Sequence, residues 1–163
     1  MANLLKQQRN ELLSKAFDEN PELAKGKKLC GIIALLWIIT RALHLAVELI
    51  LAFTIDIAIL SATNIAALVI VILFAHGIYN GSKAFAILPI IGGVIMTIQI
   101  FTSHIYLMLG AEYLTIVRIY AIVFILASLA QLVLPIIVLT AKSSNLYFNT
   151  VQTINKELLK PKA

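Results

Sequence analysis

From Leu29 to Thr140 the chain is apolar almost without relief, and three short polar interruptions divide it. Ser61-Ala62-Thr63-Asn64 reads as a helix start, Asn80-Gly81-Ser82-Lys83 as a tight turn and Gly110-Ala111-Glu112 as a weaker one. The stretches between them, residues 29–60, 64–79, 84–109 and 114–140, have the apolarity expected of membrane-spanning helices. About 20 residues cross a hydrocarbon core. The first stretch is therefore long enough to tilt or to project its first turns into water, while the second must stand nearly upright. The interruptions are too short for soluble domains, so neighbouring helices should run antiparallel. The predicted fold is all-α, a four-transmembrane-helix bundle over 29–140 with short amphipathic cytoplasmic helices in 1–28 and 141–163.

The flanks carry a different pattern. Residues 3–18 can form a helix with an irregular apolar stripe of Leu5, Leu12, Leu13, Ala16 and Phe17. Asn20-Pro21-Glu22 reads as an N-cap, a first-turn proline and a first-turn acid opening a short second helix. Tyr147, Val151, Ile154 and Leu158 recur at helical spacing near the other end. The expectation is that these faces lie on the membrane or pack on each other and on the Asn80–Lys83 turn. The sharper alternative is partner docking, for which Leu5, Phe17, Val151, Ile154 and Leu158 are the candidates.

Charge sets the orientation. Lys6, Arg9, Lys15, Lys25, Lys27 and Lys28 precede the first span, Lys83 lies in the middle loop, and Lys142, Lys156, Lys160 and Lys162 follow the last. The other two loops contain no lysine or arginine, so both termini are expected in the cytoplasm and the membrane is expected to be the plasma membrane. Trp37 would then lie in the inner half and Tyr113 near the outer interface. The first 28 residues lack a signal-peptide pattern, so the first span should act as its own insertion signal.

Composition agrees with a bilayer as solvent. Hydrophobic residues make up 61% of the chain, charged residues 13%, and mean hydropathy is +0.96. Soluble domains carry about 25% charge, and 163 residues cannot bury this much apolar surface. The net charge of +5 fits an anionic leaflet rather than nucleic acid, because the lysines crowd at the two ends. Cys30, the single cysteine, excludes an intrachain disulfide and an all-cysteine metal site.

Polar groups inside the apolar run need a reason to exist, because a charge at the bilayer centre costs about 2.5–3.5 kcal/mol on the insertion scale. On a helix, Arg41, His44 and Glu48 fall within about 60° of arc and Asp56 adjoins them. With the termini inside, Asp56, His104 and Arg118 form an outer layer. Glu48 and Gln99 form a middle layer, and Arg41, His44, His76 and Gln131 an inner one. Asp56 and Arg118 could pair across the first and last helices. A Glu48 that meets no cation should be neutral and donate a hydrogen bond to Gln99 or a backbone carbonyl. Pro89, Gly92, Gly93 and Pro135 mark close packing or hinges.

Recognisable chemistry is missing. No Gly-x-Ser-x-Gly, His-Glu-x-x-His or phosphate-loop pattern occurs, and Ser103 and His104 are adjacent and so do not share a helix face. No metal and no cofactor is expected. The function expected is that of a non-catalytic small integral membrane protein, a subunit, regulator or stabiliser of a larger membrane assembly. Its partners would be the lipid bilayer and another membrane protein or a second copy. The alternative is a small oligomeric ion or solute transporter using Glu48, Asp56 and the histidines.

Overall fold

The computed structural model of the protein describes residues 2–55, 62–99 and 115–159, and these form six helices with no strand among them. They are α1 (Ala2–Glu19), α2 (Pro21–Ile55), α3 (Ala62–Tyr79), α4 (Ala84–Gln99), α5 (Thr115–Thr140) and α6 (Lys142–Leu158). Two of them are long and apolar enough to cross a membrane, α2 over Pro21–Phe53 and α5 over Thr115–Thr140. Shorter apolar stretches occupy Ile65–Tyr79 of α3 and Ala84–Ile95 of α4. Only 39% and 28% of the most apolar windows of α2 and α5 are buried. A core helix of a water-soluble protein would hide most of such a window. Leu35, Ile39, Leu43, Ile50 and Phe53 all stand exposed along α2. These two helices therefore suggest association with a membrane.

Helix α2 differs from its sequence-based outline. The short helix opened by Asn20-Pro21-Glu22 and the first apolar span are one continuous helix of 35 residues. Its start is as expected, since Asn20 Oδ1 accepts the Glu22 N–H at 3.0 Å. The only candidate breaker before Leu29 is Gly26, and packing rather than flexibility requires it. A Cβ there would lie 2.1 Å from the Ser143 carbonyl oxygen, so α6 lies directly against the α2 backbone. At 1.5 Å per residue α2 is roughly 50 Å long, well beyond a hydrocarbon core of about 30 Å.

Neighbouring helices pack by pairs. Helix α2 runs along α3, α5 and α6, α4 runs along α5, and α3 meets α4. Helix α1 rests on α2 and α6. The turn after α3 closes the helix end in a Schellman arrangement, with Ser82 N–H donating to the Gly77 carbonyl and Gly81 N–H to that of Ile78. Gly81 has φ +82°, and a Cβ there would also sit 2.6 Å from Val151. Glycine is thus required twice over. Helices α1 and α6 then satisfy the carbonyls this end leaves open, through Tyr147 Oη to the Tyr79 oxygen at 2.8 Å and Arg9 Nη2 to the Asn80 oxygen at 3.0 Å.

These contacts gather α1, α6, the first turns of α2 and the Asn80–Lys83 turn at one end as a cap. The main apolar core lies beneath it, with Leu23, Cys30, Ile33 and Trp37 of α2, Ile78 of α3, Ala86 of α4, Val138 of α5 and Phe148 of α6. Trp37 is 1% exposed and stacks on Phe74, so it is a core residue rather than an interfacial ring. It falls on the buried face of α2, and that position decides its role.

Candidate functional site: a polar seam between α2 and α5

The buried face of α2 runs through Leu23, Gly26, Cys30, Ile33, Trp37, Arg41, His44, Glu48 and Leu51 at steps of three and four residues. Such a stripe keeps one side of a long helix against its neighbours. Its far half is polar, yet Arg41, His44 and Glu48 are only 6%, 1% and 0% exposed. The opposing helix supplies aromatic rings. His44 stacks on Tyr120 at 5.6 Å and meets Phe124 edge-on at 5.2 Å.

Within the seam Arg41 Nη1 lies 3.0 Å from His44 Nδ1. A guanidinium can only donate, so Nδ1 accepts and the His44 proton sits on Nε2 in the neutral ring. Glu48 lies one turn beyond His44 and two beyond Arg41 on the same buried face of α2. The arrangement is a buried cation, a neutral imidazole and a carboxyl in line along one helix, walled by a phenol and a benzyl ring. The Arg41–His44 hydrogen bond lies within α2 and fixes the orientation of the imidazole, and that ring then makes the contact across to Tyr120 and Phe124 of α5.

Other sequence candidates go elsewhere. His76 is exposed and lines a cleft with Gly31, Ala34, Leu35 and Ile38, on the cap side of Arg41. Gln131 is half-buried against α4, where a Cβ on Gly92 would stand 2.8 Å from its Nε2. A Cβ on Gly93 would meet the Leu132 backbone at 3.0 Å, so the glycine pair is where α4 approaches α5. Pro89 and Pro135 are both buried inside their helices. Arg118 is half-buried on α5 and engaged in the structure. Asp56 and His104 lie outside the described residues, as does the Gln99 side chain, and with them the expected Asp56–Arg118 pair.

The five docking candidates divide. Val151 and Ile154 are buried in the chain's own core, Phe17 stacks on Tyr147, and Leu158 is half-buried. Leu5 remains exposed. Among the described residues no three of His, Cys, Asp and Glu are grouped as metal ligands. Ser128, buried beside this seam, donates its hydroxyl to the Phe124 carbonyl at 2.8 Å.

Sequence reasoning overlooked Tyr120 and Phe124. The available signal was their three- and four-residue spacing with Ala121, Ala127 and Ser128, which marks the buried face of α5. The chain matches no known protein family, no characterised protein and no solved structure.

Proposed function

We propose that this is a non-catalytic integral membrane protein, a four-transmembrane-helix bundle in the plasma membrane with both termini cytoplasmic, that serves as a subunit, regulator or stabiliser of a larger membrane assembly. The observation carrying the assembly reading is apolar exposure on the cap. Leu4, Leu5, Leu12 and Leu159 are 61%, 37%, 38% and 78% exposed, outside the apolar belt that lipid would cover. All but Leu4 line one of two clefts between α1 and α6, the first formed by Leu12, Ala16 and Ile154, the second by Leu5, Arg9, Leu158 and Leu159. An amphipathic helix of a neighbouring membrane protein suits such clefts.

The topology is supported by the meeting of α1, α6 and the Asn80–Lys83 turn at one end, because four crossings return the chain to its starting side. Lysines concentrate on that same end, which favours the cytoplasmic face. The transport alternative asks for a hydrated path to Glu48. The clefts described above are not lined by Arg41, His44 or Glu48.

Gentle-detergent purification of the full chain, beside a Leu5→Asp/Leu12→Asp variant, tests the proposal. The expected result is a partner protein that co-purifies at defined stoichiometry with the parent and is lost from the variant. Recovery of the same species from both, with the variant folded, would sink it.

A further inference from the structure

A groove runs between α2 and α3 from the cap into the apolar belt. It consists of two adjoining clefts of about 510 and 310 Å³ that share Gly31, Leu35 and Tyr79. Its open end holds Lys27 and Lys28, the last charges before the apolar run begins at Leu29. Lys27 is oriented there by two rings, with Nζ 5.3 Å from the Phe17 centroid and 5.5 Å from that of Tyr79. Beyond Gly31 the walls are apolar apart from His76 and Tyr79, with Ile38 and Ile72 at the deep end.

Gly31 is the informative residue. Glycine disfavours a helix interior, and packing does not demand it here, since a Cβ would meet the Tyr79 ring at 3.4 Å, an ordinary contact. What glycine leaves is floor space where the two clefts join. A cationic mouth at headgroup depth, continuous with an apolar channel along the helices, complements one class of molecule. A soluble anion would use the lysines and leave the channel empty. A zwitterionic lipid would use the channel, with its phosphate charge already balanced by its own ammonium group.

We infer that this groove binds one anionic phospholipid, its phosphate at Lys27 and Lys28 and an acyl chain over Gly31 toward Ile38 and Ile72. The inference rests on the membrane reading above and adds a ligand to it. Each lysine near an anionic headgroup should contribute about a fivefold preference. Lys25 is a built-in control, because it is paired with Glu22 and lies outside the groove lining.

The test uses the full chain in phosphatidylcholine nanodiscs containing a minor fraction of phosphatidylglycerol, with retained lipid read by native mass spectrometry. The expected result is one phosphatidylglycerol held in preference to phosphatidylcholine. Lys27→Gln/Lys28→Gln should lower that preference roughly 25-fold. Gly31→Leu should abolish retention while circular dichroism stays unchanged, and Lys25→Gln should do nothing. Equal retention of both lipids overturns the site. So does a Lys25→Gln effect as large as the double variant's, which would mean diffuse attraction to a basic surface. Retention that survives Gly31→Leu overturns the seated chain. A protein that does not enter the discs overturns the membrane reading together with the site, whereas one that enters without preference overturns the site alone.

Discussion

Cys30, Ile33 and Trp37 occupy the same face of α2 as Arg41, His44 and Glu48, yet the two halves of that face are held by different physics. The cap-side half meets apolar groups from every other helix. Its energy is burial and fit, which depend on volume and tolerate similar shapes. The polar half meets Tyr120 and Phe124 of α5 through the His44 ring, which a hydrogen bond from Arg41 within α2 holds in orientation. Buried polar groups retain their value only while their partners stay in place. One helix face thus combines a tolerant apolar core with a seam whose ring contacts depend on a hydrogen bond within the helix. The lesson is that burial and polarity have to be read as separate variables along a long apolar helix.

The largest effect should come from emptying the tolerant half. Trp37→Ala removes the bulkiest fully buried side chain and should cost about 3–5 kcal/mol in detergent unfolding, while Trp37→Phe costs far less. A Trp37→Ala protein with parental stability would break the comparison at once. In the polar half Arg41→Leu removes a charged donor and should cost about 1.5–3 kcal/mol. The sharper measurement is its cycle with His44→Phe, where the double variant should be clearly less damaged than the sum of the two singles. Strict additivity would show that the Arg41–His44 contact contributes nothing to the seam.

Smaller effects test how the cap is fastened over the core. Gly81→Ala forces a side chain into a left-handed conformation, worth about 1–2 kcal/mol, and drives a methyl into Val151. Val151→Ala in the same background should return the packing part of that loss and leave the backbone part. Tyr147→Phe gives up one hydrogen bond to the Tyr79 carbonyl and should cost about 1 kcal/mol. Burial pushes the Tyr147 phenol up from its ordinary 10.0 to about 12. A group whose folded pKa is raised contributes stability below its unfolded pKa and loses it as pH climbs through the folded one. The cap should therefore loosen from about pH 10 to pH 12 in the parent, and Tyr147→Phe should flatten that part of the profile.

Much of the helix outline was legible because its breakers are local. Asn20-Pro21 and Asn80-Gly81 impose their structure through caps and a positive φ that short-range chemistry foretells. The union of the second short helix with the first span was not legible. Gly26 looks like a breaker until the Ser143 carbonyl is seen lying against it. The packing of Val151 and Ile154 was left open between the membrane, the chain itself and a partner, since an amphipathic period states that one face is apolar and not what covers it. For the polar seam, helical spacing alone puts Arg41, His44 and Glu48 on one arc, whereas the rings of Tyr120 and Phe124 across from it depend on how α5 is rotated.

Cysteine accessibility in intact cells tests the central claim most directly, in a Cys30→Ala background with single Ala62→Cys, Ser82→Cys and Ala111→Cys substitutions. A membrane-impermeant maleimide should label positions 62 and 111 from outside and reach position 82 only after the membrane is opened. Labelling of position 82 in sealed cells would contradict the placement of the capped end in the cytoplasm, and with it the four-crossing account.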